Sequence, residues 1–400
     1  MMLALQMFRS LSRHLAARAV GGRIPGLLSG PAAPLRLITV QEPRLNRPGW
    51  TQARTRLSGI CGSDLGALSG RTSLYFSGLV SMPLIPGHEV VAELVEDCDD
   101  LPAGTRVVID PVLACAARGV DACPACRSGA TNRCDRITVG HVSPGLQTGF
   151  CADTGGGWGE LLSVHRSQLH VVPDGLSDEQ AVLIEPLACA VHTALRARVG
   201  RGAHVLVSGA GAVGLFTTLA LRELTAAGDI TVVAKHGRQG ELARAFGATD
   251  VVAPDAVLRG VRRSTRAFHV KGELGHSFLL GGVDLAVDAV GSRQSLETAL
   301  QATRSGGRVV LSGMPAAADL SAAWFRELEL VGSYASAACE PAADGRSAFD
   351  IATELAGGSG LRDLAVARYP LHRWREALDH AHSAGRLGTV KVAFDPRSTT

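Results

Sequence analysis

Residues 204–221 read HVLVSGAGAVGLFTTLAL, and the reading of this stretch decides the fold. It is the longest charge-free apolar run in the chain. By length alone it is long enough for a membrane helix. Gly209, Gly211 and Gly214 interrupt it after a β-branched run, so it reads instead as a buried strand, a tight turn and a helix. A Gly-x-Gly-x-x-Gly spacing between a strand and a helix is a dinucleotide-binding turn. The first glycine permits the turn, the second lets a pyrophosphate approach, and the third packs helix on strand. The pyrophosphate then meets the helix N-terminus. Val213, inside that turn, is grouped with the coenzyme-binding residues.

Working outward, strand and helix patterns alternate from about Ala203. "DITVVA" (229–234) is followed by "GELARAFGA" (240–248), "VDLAVDAVG" (283–291) by the helical "SLETALQATRSGG" (295–307), and then "RVVLSGM" (308–314). Such alternation predicts an α/β unit with a doubly wound parallel sheet and right-handed crossovers. Upstream, from Leu35 to Leu187, short β-branched runs are separated by loops that hold most of the cysteines, a mostly-β pattern. The pattern divides the chain into a leader over 1–34, expected to be poorly ordered, a mostly-β segment over 35–187, an α/β segment over 188–335 and a mixed segment over 336–400. Residues 259–282 are basic and irregular and receive no fold role.

The strand after the glycines bears on the choice of coenzyme. NAD binders carry an acid about 20 residues on, which holds the ribose 2′-hydroxyl. Here the chain reads Val-Val-Ala-Lys-His-Gly-Arg over 232–238: Ala234 takes the acid's place, and Lys235, His236 and Arg238 follow. A carboxylate repels a 2′-phosphate and basic groups bind it, so NADP(H) is expected over NAD(H). Only three of the 40 basic residues are lysines, Lys235, Lys271 and Lys391, and one of them stands here.

Composition bounds the remainder. At about 150 residues per domain, 400 residues make roughly 2.7 domains, and 46% apolar with 19% charged residues is an ordinary globular balance. A net charge of +3 from 40 basic and 37 acidic residues disfavours nucleic acid as a partner, including any reading of the cysteine cluster as a zinc knuckle. Nine cysteines, with Cys115, Cys123, Cys126 and Cys134 close together, fit a metal and a reducing compartment better than a disulfide framework. A soluble cytoplasmic protein with no membrane association is expected. The first 36 residues hold five arginines and no acid, the composition of an organelle transit peptide. Because the arginine bias runs along the whole chain, that remains the minor reading.

Two Gly-flanked loops carry metal chemistry: Gly59-Ile-Cys61-Gly-Ser63-Asp64 and Gly87-His88-Glu89. Cysteine, histidine and carboxylate are zinc ligands, and an open catalytic site uses three of them plus an exchangeable position.

On these residues the chain resembles a zinc-dependent member of the medium-chain dehydrogenase/reductase superfamily, the alcohol and polyol dehydrogenases, over about residues 35–395. The resemblance rests on "GICGSD", "PGHEVV", the cysteine cluster, "IEPLACAVH" (184–192), "GAGAVG", "DAVG" (288–291) and "GGRVVLSG" (306–313), in that order. It implies a GroES-like catalytic domain over 35–187, a Rossmann domain over 188–335 and a return to the catalytic domain over 336–400. It also implies catalytic zinc at Cys61 and His88, with Glu89 and Glu185 as further ligands or neighbours. Glu185 stands where alcohol dehydrogenases carry cysteine and polyol-type members carry glutamate. Asp64 resembles the carboxylate that orients the zinc-bound histidine, Ser63 the hydroxyl that takes the substrate proton, and Lys391 a basic residue near the coenzyme pyrophosphate. Family members are often homodimers or homotetramers.

Two positions depart from the family pattern. Many members pass the proton onward through a histidine three residues after the hydroxyl, where this chain has Gly66. The structural zinc lobe of the family reads Cys-x2-Cys-x2-Cys-x7-Cys. Cys123, Cys126 and Cys134 supply its last three ligands, and Val120 stands at the first. Cys115 is the expected fourth ligand, with Asp121 the weaker choice.

The activity implied is hydride transfer between a small alcohol, secondary or polyol, and NADP(H), or the reverse reduction of a carbonyl. The competing readings are a zinc-free NADPH reductase, opposed by the Cys61/His88/Glu185 set, and a non-catalytic NADPH-binding protein, favoured only by the missing histidine. The loops over 70–83 and 147–160 set the substrate pocket, with Tyr75, Phe76 and Trp158 as candidates either for its lining or for the core.

Overall fold

Met2–Met7 is a strand, and with it the expectation of a poorly ordered leader is corrected. Met2, Ala4, Leu5 and Met7 are at most 4% exposed. The strand pairs antiparallel with Leu35–Val40 in the register Met2↔Val40 to Met7↔Leu35. Its outer backbone groups are also used: Leu5 N donates to Trp158 O at 2.9 Å, and Met7 and Leu84 exchange bonds of 2.8 and 3.0 Å. The physical reason lies in the first seven residues, MMLALQM, which hold no charge; the arginines that suggested a leader begin at Arg9. A helix, Leu11–Val20, follows. The structure, a computed structural model, describes residues 1–20, 30, 33–273, 277–362 and 364–398, so the rest of the expected leader lies outside the described residues.

The chain forms two compact units. The first comprises Met1–Glu185, Ala337–Cys339 and Phe349–Thr400, the second Pro186–Ser336 and Glu340–Ala348. The first is built on a seven-stranded sheet. Its path runs Val366–Tyr369, Lys391–Phe394, Trp50–Gly59, Glu89–Leu94, Arg106–Ile109 and Leu169–Val171, with Leu161–His165 also paired to Trp50–Gly59. All of these pairs are antiparallel except that of Val366–Tyr369 with Lys391–Phe394. One core cluster joins Leu5, Met7, Leu84, Trp158, Leu371, Trp374 and Phe394. Trp158 and Phe394 meet edge to face with ring centroids 5.2 Å apart. Each fully buried aliphatic side chain here contributes about 1.5–3 kcal/mol of transfer free energy.

The second unit carries six parallel strands in the order Asp250–Val252, Ile230–Val233, Val205–Ser208, Val283–Asp288, Thr303–Leu311, Glu329–Gly332. Numbered within the sheet this is 3-2-1-4-5-6, the doubly wound Rossmann order. Its direction of winding reverses between Val205–Ser208 and Val283–Asp288, and ligands of such sheets sit outside the strand carboxyl ends at that point.

Residues 259–282 do have a structural role. Val257–Thr265 is a helix with Val257, Gly260 and Val261 buried, and Phe268–Lys271 pairs with Ser277–Leu280 as a hairpin. Arg259, Arg262 and Arg263 on the other helix positions hid that narrow apolar face from a compositional reading. The helix read over 295–307 spans Arg293–Ala302, because Thr303 turns extended while its hydroxyl binds Ala299 O at 2.7 Å. Among the described residues no helix is long and apolar enough to cross a membrane.

Candidate active site

The strand Trp50–Gly59 delivers Cys61 to the start of a short helix, Gly62–Leu68, for which Cys61 is the extended N-cap. Asp64 reaches back from that helix, and its Oδ2 accepts Cys61 N at 2.9 Å. Its other oxygen, Oδ1, lies 3.4 Å from His88 Nδ1. With Nδ1 facing the carboxylate, the opposite nitrogen Nε2 lies 3.4 Å from Ser63 Oγ. His88 itself follows Gly87, whose φ of +95° suits glycine. A Cβ there would stand 2.4 Å from Trp158 and 2.6 Å from Ser58 Oγ, so close packing demands glycine as well.

Cys61, His88 and Glu89 each present a donor atom within 4.8 Å of the others. Asp64 and His88 are buried, at 2% and 4% exposure, and Cys61 is half-buried. Burial pushes the His88 pKa down, but Asp64 and Cys61 push it up further, to well above 6.5. A pocket that draws positive charge onto a buried imidazole is electrostatically suited to a metal cation. Asp64 beside Nδ1 gives the usual arrangement of a carboxylate behind a metal-binding histidine. The residues present therefore fit zinc.

Lys391, expected near a coenzyme phosphate, has a carboxylate partner in the first unit. Its Nζ lies 2.6 Å from both oxygens of Glu89, and both side chains are buried. The register explains this: Gly59 pairs with Glu89 on one side and with Ala393 on the other. A Cβ on Gly59 would stand 2.0 Å from Glu89 Oε2, so glycine leaves the carboxylate room to cross the strand. Glu185, buried in the first turn of Ile184–Arg196, lies outside the group of three donors, though its charge helps to raise the Lys391 pKa. Phe150, which no sequence motif singled out, places its ring 5.7 Å from that of His88. Tyr75 is 80% exposed, Phe76 is half-buried, and Trp158 belongs to the core. At Gly66 an added Cβ would meet only Thr72 Oγ1, at 3.6 Å.

The structure also gathers Cys115, Cys123, Cys126 and Cys134, with their sulfurs within 4.8 Å of one another; Val120 and Asp121 stay outside the group. Cys115 and Cys134 Sγ are 3.6 Å apart, far longer than a disulfide and close to the edge, about 3.8 Å, of a tetrahedron with zinc–sulfur bonds of about 2.3 Å. Backbone N–H groups already point at the sulfurs: Cys123 N at Cys115 and Arg136 N at Cys134, each at 3.4 Å. Backbone hydrogen bonds lower the Cys123 pKa to about 6, while burial raises those of Cys126 and Cys134. This donor set fits a closed four-thiolate metal site.

In the second unit, Gly209 takes φ +100°, and a Cβ on Gly214 would stand 2.0 Å from Gly209 O, so these two glycines build the turn. Gly211 is different. It is the N-cap of Ala212–Leu224, no side chain caps that helix, and a Cβ there would meet nothing within 4 Å. Exposed backbone at an uncapped helix start leaves N–H groups for a phosphate. Val213 is half-buried in the first turn. Asp288, to which no role was assigned from sequence, is fully buried, and its Oδ1 accepts Val290 N and Gly291 N at 3.0 and 3.1 Å. Ala234 is buried, Lys235 is exposed, His236 caps the helix Gly237–Ala245, and Arg238 is exposed and paired with Glu241 at 2.9 Å.

Residues 47–174 match the alcohol dehydrogenase GroES-like domain, and residues 212–352 match the zinc-binding dehydrogenase family. The chain is 31% identical over 290 residues to the L-idonate 5-dehydrogenase of Vitis vinifera, covering 71% of this chain and 72% of that one. To the L-galactonate-5-dehydrogenase of Escherichia coli (strain K12) it is 30% identical over 281 residues, 67% and 70% of the two chains. A zinc-binding dehydrogenase from Sinorhizobium meliloti 1021, solved bound to NADP, shares the fold with a TM-score of 0.71 at 23% identity, over 99% of this chain and 100% of that one.

Proposed function

Since the chain belongs to the zinc-dependent medium-chain dehydrogenase/reductase superfamily and is an oxidoreductase of the alcohol and polyol type, we propose that it moves a hydride between a secondary alcohol or polyol, or the matching carbonyl compound, and NADP(H). The observation that carries the reading is the convergence of Cys61, His88 and Glu89 with Asp64 behind the imidazole. The sugar-acid dehydrogenases among its relatives, and the glutamate at 185 where cysteine marks the simple alcohol dehydrogenases, support a polyol-like substrate.

Cys61 and His88 hold zinc, with Glu89 or Glu185 completing the set. Bound zinc supplies Lewis acidity that brings the ionisation of a coordinated hydroxyl from about 15.7 towards 7, and NADP supplies the hydride acceptor. The chain's own groups do the rest. Asp64 fixes the His88 ring so that Nε2 faces Ser63, the nitrogen with which His88 would hold zinc. The exposed Ser63 hydroxyl takes the substrate proton as it gives its own to bulk water, Phe150 packs beside His88, and Lys391 restrains Glu89. Gly211 opens the helix start to the pyrophosphate. Lys235, with His236 and Arg238, receives the 2′-phosphate that Ala234 does not repel, and the NADP on the structural relative accords with this. Cys115, Cys123, Cys126 and Cys134 hold a second, structural zinc. A homodimer or homotetramer in the cytoplasm completes the reading.

The test is a dehydrogenase screen over secondary alcohols, sugars and polyols with both coenzymes, on protein of measured zinc content, beside Cys61→Ser. The expected result is NADP-dependent turnover that Cys61→Ser loses together with one zinc. Zinc-loaded protein without turnover in either direction refutes the enzymatic reading.

A further inference from the structure

We propose that Arg118 is a positioning residue for a divalent metal held by Cys115, Cys123, Cys126 and Cys134: its buried cation offsets the anionic charge of the four thiolates and its fork of donors fixes the turn that carries Cys115. This rests on the four-thiolate reading of the cluster given above.

Arg118 has no exposed surface, and it has no ion-pair partner among the described residues. An unpaired guanidinium is costly to bury unless its surroundings are built to receive it. Here five carbonyls receive it. Nε donates to Leu113 O at 2.9 Å, Nη1 to Val139 O and Val142 O at 3.1 Å each, and Nη2 to Gly145 O at 2.6 Å. Ser143 O accepts longer bonds from both Nη atoms, at 3.4 and 3.5 Å. Carbonyls orient the cation but do not neutralise it. The acidic groups on the turns that surround it are the Cys115 and Cys134 thiols and Asp153, whose Oδ2 accepts Ser143 N at 2.6 Å. Four thiolates around one divalent ion leave a net negative charge, and a buried cation beside them lowers the cost of holding all four ionised.

The geometry links the cation to the ligand that the family pattern does not supply. Arg118 shares a turn with Cys115: Arg118 N and Val120 N both approach Cys115 O at 3.2 Å. Its carbonyl in turn accepts His141 N at 2.9 Å. Main chain and side chain together tie the Cys115 turn to residues 139–145, the segment that follows Cys134, and the two sulfurs stand 3.6 Å apart. Arginine suits the place, since its five N–H groups in a rigid fork match these carbonyls, whereas lysine offers three on a flexible stem.

The experiment compares the full chain with Arg118→Met, Arg118→Lys, Cys115→Ser and Cys126→Ser, each loaded with zinc or cobalt(II). Metal per chain, its rate of loss to a chelator, and the sulfur-to-cobalt charge-transfer bands are read. We expect Cys126→Ser and Cys115→Ser to hold one metal fewer than the parent. Arg118→Met should lose that same metal about ten- to a hundredfold faster, the range found when groups behind metal ligands are removed, with altered bands. Arg118→Lys, which keeps the charge, should fall between. If Arg118→Met does not fold, Arg118→Lys decides alone: release and bands identical to the parent overturn the proposal. Identical behaviour in Arg118→Met overturns the role of Arg118 while leaving the thiolate site standing. A Cys126→Ser protein with the parent's full metal content overturns the thiolate site, and the role of Arg118 with it.

Discussion

Lys391 Nζ is held at 2.6 Å by both oxygens of Glu89, a buried pair joining residues 302 positions apart in sequence. Removing one partner of such a pair leaves an uncompensated buried charge, which costs about 3–5 kcal/mol. Lys391→Met should therefore lower the unfolding free energy by that amount, seen as a lower urea midpoint at an unchanged slope, and adding Glu89→Gln should restore part of the loss. A Lys391→Met protein of parental stability would show that the Lys391–Glu89 pair does not hold the fold together.

Asp110 gives the stability a pH dependence. Burial raises its pKa from 3.8 to about 7, although its Oδ1 accepts Val112 N at 3.0 Å. An acid whose folded pKa is raised binds its proton more tightly in the folded chain. Its contribution is full below pH 3.8 and is lost as pH climbs to about 7. Asp110→Asn keeps the acceptor and removes the charge, so it should be more stable than the parent above pH 7, with the difference fading towards pH 4. Parallel stability curves for the two proteins across that window would contradict this.

Gly211 and Gly214 should separate binding from folding. A side chain at 211 meets open space, whereas one at 214 strikes Gly209 O. Gly211→Val is expected to keep its melting temperature and lose NADPH affinity at least about tenfold, by blocking pyrophosphate approach. Gly214→Val should lose both. NADPH fluorescence titration beside thermal melts checks the contrast.

At the end of Ile230–Val233, Ala234→Asp combined with Lys235→Ala places a carboxylate where a 2′-hydroxyl would bind and removes a cation from a 2′-phosphate. The ratio of kcat/KM for NADP over NAD should fall at least about tenfold, one charged hydrogen bond being worth about 1.5–3 kcal/mol. An unchanged ratio would remove Lys235 from coenzyme selection.

The N-terminal strand is a load on stability. Leu5 is fully buried, and Leu5→Ala should cost about 2–5 kcal/mol in chemical denaturation. A loss under about 0.5 kcal/mol, the level of a surface substitution, would show that the strand does not pack in solution.

The Rossmann half was legible because its signal is local. Gly209, Gly211 and Gly214 lie within six residues, between a strand and a helix that neighbour each other in the chain. Cys61, His88 and Asp64 were readable through their motifs, and the reach of Cys115 to Cys134 through the cysteine spacing. What escaped depends on partners distant in sequence. Nothing near Lys391 announces Glu89, and only the registers of Lys391–Phe394 and Glu89–Leu94 on Trp50–Gly59 bring them together. Arg118 was one arginine among many in a biased composition, and its carbonyl partners carry no side-chain signature. Met2–Met7 was obscured by the arginines that follow it.

The strand Met2–Met7 is made more than 360 residues before Trp374 and Phe394, with which it shares one core cluster. The interior of the first unit therefore cannot close until Phe394 has been made, while Pro186–Ser336 is contiguous and can assemble earlier. Pairings this remote in sequence are slow to form and leave apolar edges uncovered meanwhile. During biosynthesis the parallel-sheet unit has a head start, and the other exposes its apolar surface for longer.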